Sequence, residues 1–138
     1  MSSKKISELI GQYRPELQPY ESLYKHFHAN PELSWLEKET AAEIHSRLSK
    51  LNVFRIHSNV GGTHGLAAVF ANGEGTCLLL RADIDALPVD ELTGLEYASK
   101  KRMRNEDGVE KPVMHGTKLV GEDGFDDLTT DVWSSLRT

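Results

Sequence analysis

The sequence predicts an α/β fold, and three stretches carry that prediction. Segments 15–28 and 35–51 place apolar residues three and four apart, the period of one helix face. The run "TCLLL", residues 76–80, is continuously apolar, as in a strand buried on both faces. It follows Asn72-Gly73, a pair that readily adopts the positive backbone angles of a tight turn.

The first helix is expected over "PELQPYESLYKHFH", where Leu17, Tyr20, Tyr24 and Phe27 form one stripe. Pro15 and Pro19 are compatible with it only if the first turn begins near Pro19, where no amide hydrogen is needed. "HANPEL" ends it, because Asn30 precedes Pro31 and is pushed away from helical angles. A second helix is expected from about Trp35 to Leu51, stopping near Asn52, with Ala41, Ile44, Leu48 and Leu51 on its buried face. Ser34 and Glu37 have the spacing of a capping box. "VFRIH" and "LAAVF" read as strands around the glycine-rich turn "SNVGGTHG". "ANGEG" then reads as a hairpin turn into a further strand, "TCLLLRA". Beyond Pro88 the chain reads as a charged loop, and from Gly116 as an acidic tail with little packing capacity.

Bulk composition narrows the class. The chain has 138 residues, enough for one domain with a core, of which 38% are hydrophobic and 27% charged. A net charge of −5 argues against nucleic acid as partner, since phosphate binding needs a basic surface. The single cysteine, Cys77, cannot form a disulfide within the chain and is expected as a buried thiol in its strand. No run approaches membrane-spanning length, and "MSSKKISELIGQYRPEL" lacks the apolar core of a signal peptide, so no membrane role and a cytoplasmic location are expected.

The chemistry-bearing stretch is "RADIDALP", residues 81–88. Asp83 and Asp85 are two apart and would face one side at the end of a strand, where ligands gather in α/β sheets. By itself the pattern is more often a solvated strand exit with Arg81 pairing an acid. The histidines lack the HExxH spacing of a local zinc site, and most of them read as surface or capping residues; His26 and His28 diverge on a helix. "GGTHG" lacks the phosphate-loop pattern, and Lys100, Lys101, Arg102 and Arg104 lie among acids that include Glu91, as on a solvated loop.

Taken together, "HANPELSWLEKETAAEIHSRL" and "RADIDALPVDELTGLEYAS" resemble two blocks of the M20 peptidase family, in its branch of N-acyl-amino-acid and auxin-conjugate amidohydrolases. The resemblance covers roughly residues 17 to 115. It implies the N-terminal portion of a metal-dependent exopeptidase-type catalytic domain, with two helices followed by strands and an incomplete sheet. It also implies two manganese or zinc ions that polarise an amide carbonyl and activate a water, with a glutamate as base. Small N-acyl amino acids are the implied substrates. Asp85 matches the family acid that orients the metal centre. Asp83 stands where other branches carry a metal-binding histidine.

Met114-His115 begins the family's next block, Met-His-Ala-Cys-Gly-His-Asp, and the chain then reads "GTKLVGEDGF". The cysteine and second histidine, which are ligands in the family, do not follow, and no Glu-Glu pair occurs. A change of reading frame or an altered splice produces so sharp a switch. The expectation is therefore residues 1–115 as part of the catalytic domain, 116–138 as an unrelated tail, and a truncated, inactive chain that binds no metal. Two alternatives are a minimal metal site from Asp83, Asp85, His115 and Glu122 or Asp123, and a non-catalytic subunit that docks on a full-length relative.

Overall fold

The computed structural model describes residues 3–115. Three helices, α1 (Ser3–Tyr13), α2 (Gln18–Ala29) and α3 (Lys38–Leu51), precede four short strands, β1 (Arg55–Ser58), β2 (Leu66–Val69), β3 (Arg102–Arg104) and β4 (Glu110–Pro112). The strands form two separate two-stranded antiparallel sheets, β1-β2 and β3-β4. This is a mixed α/β arrangement with incomplete sheets.

Helix α1 extends the expected pair of helices to three. Its apolar residues Ile6, Leu9, Ile10 and Tyr13 recur at helical spacing yet are exposed. Helix α2 has Pro19 in its first turn, where the Leu17 carbonyl accepts the Tyr20 and Glu21 amides at 2.9 Å each. Asn30 closes it, its amide reaching the His26 and Phe27 carbonyls at 3.1 Å and its side-chain nitrogen the His26 carbonyl at 2.8 Å. Leu17, Tyr20 and Tyr24 remain exposed, so the stripe on α2 packs only toward its C-terminal end.

The start of α3 corrects the expected capping box. Glu32, 3% exposed, accepts the Glu39 amide at 3.2 Å and the Thr40 amide at 2.7 Å through its two carboxylate oxygens. These are orphan amides of the first turn, so Glu32 supplies the cap. Glu37 instead accepts the Trp35 amide at 2.9 Å, and the Ser34 hydroxyl donates to Asp85. At the other end Asn52 adopts the left-handed conformation (φ 59°), as a helix stop does.

Strands β1 and β2 pair in register from Arg55 opposite Val69 to Ser58 opposite Leu66, with Phe54 and Phe70 edge-to-face at 5.9 Å beside them. The connection relies on Asn59, Gly61 and Gly62, all at positive φ. The expected third strand does not form. Residues 76–82 have no ladder partner among the described residues, and Leu78, Leu79 and Leu80 are exposed. A strand is defined by its hydrogen-bonded neighbour, and β2 is paired to β1, not to this run. Cys77 is accordingly exposed, which corrects its reading as a buried thiol.

The region read as a charged loop contains a hairpin. Its turn is closed by the Asn105 amide on the Val109 carbonyl at 3.0 Å and the Val109 amide on Asn105 Oδ1 at 2.8 Å, with Gly108 at φ 74°. Arg102 lies 3.7 Å from Glu110 across it. The hairpin packs Met103 against the small core of Leu33, Ala86 and Val113. Two isolated bridges bind this core: Leu33 with Ala86 (parallel) and Leu87 with Met114 (antiparallel). The tail, residues 116–138, lies outside the described residues.

Candidate functional site

The two segments that carry the sequence signal meet side by side. The Ala86 amide donates to the Glu32 carbonyl at 2.7 Å, the Leu33–Ala86 bridge extends this contact, and Ser34 Oγ donates to Asp85 Oδ2. On the far side of Ala86, Leu87 and Met114 exchange main-chain hydrogen bonds at 2.8 and 3.0 Å. "NPELS", "DIDAL" and "VMH" therefore converge on one place although they are far apart in sequence.

There they surround a cleft of about 340 Å³ whose lining includes Tyr24, His28, Thr40, Asp83, Asp85 and His115. Both aspartates line it, and so does Ile84 between them, because residues 83–85 form no strand and their side chains do not alternate. Their surroundings differ. Asp83 is exposed and ion-paired with Arg81 at 2.7 Å, a contact that solvent weakens. Asp85 is half-buried and held by Ser34. His115 is half-buried beside it. Burial holds the His115 imidazole below its usual range, and the nearby charge of His28 acts the same way; the main chain and carboxylate of Asp85 oppose them.

His28 and Glu91 are the site residues that local sequence reading did not single out. His28 is 3% exposed, not a surface or capping residue. Its Nε2 lies 2.8 Å from Glu91 Oε1, and the Glu91 side chain is fully buried. Glu91 also accepts the Thr93 hydroxyl and the Ser99 amide. Burial alone would raise the pKa of this carboxyl, and the donors from His28, Thr93 and Ser99 outweigh it, so the group lies below the usual carboxylate value. Reading Glu91 as one acid of a solvated loop is thereby corrected: the loop folds back and closes over it. Tyr97 meets the His28 ring edge-on at 5.3 Å. The only local signal was the position of both residues inside the two resembling blocks.

A two-metal centre does not fit the described residues. No group of three His, Cys, Asp or Glu side chains among them is arranged to hold a metal ion. Cys77 is exposed on the unpaired run, and Glu122 and Asp123 lie outside the described residues. Two buried imidazole nitrogens, His28 Nδ1 and His115 Nε2, have no hydrogen-bond partner. No helix among the described residues is long and apolar enough to cross a membrane.

No protein-family model matches the chain, and no solved structure does. Curated proteins do. A putative amidohydrolase, YhaA, of Bacillus subtilis (strain 168) is 46% identical over 76 residues, 55% of this chain and 19% of that protein. The N-acetyl-L-cysteine deacetylase of the same organism is 44% identical over 78 residues, 56% of this chain and 18% of that protein. An N-acyl-L-amino acid amidohydrolase of Geobacillus stearothermophilus is 29% identical over 140 aligned positions, 99% of this chain and 34% of that protein. The matches thus span between about a fifth and a third of the length of these relatives. The resemblance to amidohydrolases is borne out by homologues that carry that name.

Proposed function

We propose that this chain, whose homologues include proteins named amidohydrolase, is the N-terminal part of an M20-type catalytic domain that hydrolyses the amide bond of N-acyl amino acids in the cytoplasm. The observation that carries this reading is the Leu33–Ala86 bridge with the Ser34–Asp85 hydrogen bond, which locks the two resembling blocks together at the cleft. In this reading Asp85 orients groups at the reaction centre, and Asp83 lines its rim. The manganese or zinc ions of the family would supply carbonyl polarisation and an activated water when bound. Their ligands are not assembled among the described residues, and in this reading the chain is inactive by itself.

The test is a chimera. Residues 17–115 replace the matching segment of the B. subtilis amidohydrolase, and hydrolysis of N-acetyl amino acids is measured with manganese and with zinc. The expected result is metal-dependent turnover in the chimera, loss of at least about tenfold in kcat on Asp85→Ala, and none in the chain alone. A well-folded but inactive chimera overturns the catalytic-domain reading. Turnover by the chain alone overturns the reading that it is inactive.

A second reading is supported by the exposed leucines 78–80. An exposed apolar run without a ladder partner is a segment that another chain can cover or pair with. The chain would then be a non-catalytic subunit docked on a full-length relative, and co-purification with such a relative, abolished by Leu79→Lys, is its test.

A further inference from the structure

Trp35 stands in a conformation that its residue type disfavours. Its φ is 70°, where a bulky side chain is strained and glycine is not. The turn that imposes this is held twice: the Glu37 carboxylate accepts the Trp35 amide at 2.9 Å, and the Leu33 carbonyl accepts the Leu36 amide at 2.9 Å. Burial does not offset the strain. Trp35 is 63% exposed and makes no ring contact among the described residues. Strain kept without a packing gain is a feature of residues placed to meet a ligand.

The position of Trp35 indicates which ligand. Its neighbour Ser34 holds Asp85 beside the cleft. Trp35 lines a hollow of about 290 Å³ together with Ser34 and Ile84, and Ile84 also lines the cleft of the two aspartates. Hollow and cleft therefore share a wall, and a ligand seated in the cleft can lay an apolar arm across it. Glu37, the carboxylate that lines the hollow, is already engaged with the Trp35 amide. Trp35 lines a second hollow of about 280 Å³ with Leu36, Leu87 and Pro88 among its walls. Apolar and aromatic linings take the carbon skeleton of a ligand, while a few polar groups fix its orientation. We infer that Trp35 is a specificity-determining residue, the aromatic platform for a linear apolar acyl chain whose amide sits at the cleft of Asp83 and Asp85. This rests on the amidohydrolase reading, to which it adds the class of acyl group.

The test follows the nitrogen-15-labelled full chain by NMR during titration with hexanamide and, in parallel, with acetamide. Binding of these neutral amides needs neither a metal nor turnover. The chain's other tryptophan, Trp133, is replaced by Phe so that the indole signal is that of Trp35. The expected result is saturable movement of the Trp35 indole N–H together with the Ser34 and Ile84 amides. Hexanamide should bind at least about tenfold more tightly than acetamide, since each buried methylene strengthens binding about fourfold. Trp35→Gly suits the positive φ and removes the indole; it should weaken hexanamide binding about tenfold or more, read at the Ile84 amide. Trp35→Asn, which also tolerates that φ, is the companion variant. An unmoved indole resonance overturns the inference, as does equal affinity for the two amides. Hexanamide binding unchanged in the variants overturns it in favour of another apolar surface, such as leucines 78–80. An active chimera beside an unresponsive Trp35 overturns this inference alone, and an inactive chimera beside hexanamide bound at Trp35 overturns the catalytic-domain reading alone.

Discussion

His28 and Glu91, 63 positions apart in the chain, meet at 2.8 Å with both side chains out of solvent. This contact pins the loop after "RADIDALP" onto the C-terminal end of α2, at the residue by which α2 lines the cleft. Glu91 is its hub, because the Thr93 hydroxyl and the Ser99 amide donate to the same carboxylate.

Glu91→Ala should therefore destabilise the chain by about 1–3 kcal/mol, since it strands the buried His28 donor and the half-buried Thr93 and Ser99 donors. Urea unfolding followed by circular dichroism reads this as a lower midpoint. A midpoint unchanged from wild type would show that the loop is held elsewhere.

Stability should fall in acid, in two stages with distinct origins. His115 has its pKa lowered in the folded state, so the unfolded chain binds the proton first. Its contribution is full above its ordinary value of 6.5 and is lost as pH falls through the folded value. Glu91 is also lowered, so its contribution is full above 4.5 and disappears at still lower pH. Thermal melts across this range should show both steps, and His115→Phe should remove only the upper one.

The helix cap can be decided by two substitutions. Glu32→Ala removes the acceptor of the Glu39 and Thr40 amides and should cost about 1–2 kcal/mol. Ser34→Ala breaks only its bond to Asp85 and should leave α3 intact, with loss of no more than about 1 kcal/mol. Equal losses of helix signal in the two variants would favour the capping box over Glu32.

Leu78, Leu79 and Leu80 form an exposed apolar run, with Leu80 84% accessible. Such a run promotes association of chains. Leu80→Lys should shift unfolding by no more than about 0.5 kcal/mol, as exposed substitutions do, yet clearly reduce light scattering at high protein concentration. Unchanged scattering would place the association elsewhere.

Local periodicity and turn chemistry made α2, α3, β1 and β2 legible, because those features depend on residues within a few positions of one another. Pro19, Asn30 and Asn52 act as their residue types predict. Turn chemistry was also present at Asp107-Gly108, but the flanking charges hid β3 and β4. The run at 76–82 shows the converse failure. Its composition suits a central strand, but composition cannot provide a neighbour, and no partner lies beside it among the described residues.

By itself the sequence determined α2, α3, the first hairpin and the likeness to amidohydrolases. Only the tertiary structure decided that Glu32 caps α3, that Ser34 serves Asp85, and that His28 and Glu91 form a buried pair. The physical reason is range. A helix face or a turn is written in adjacent residues, whereas burial and hydrogen-bond partnership arise only when distant segments are brought together and water is excluded between them.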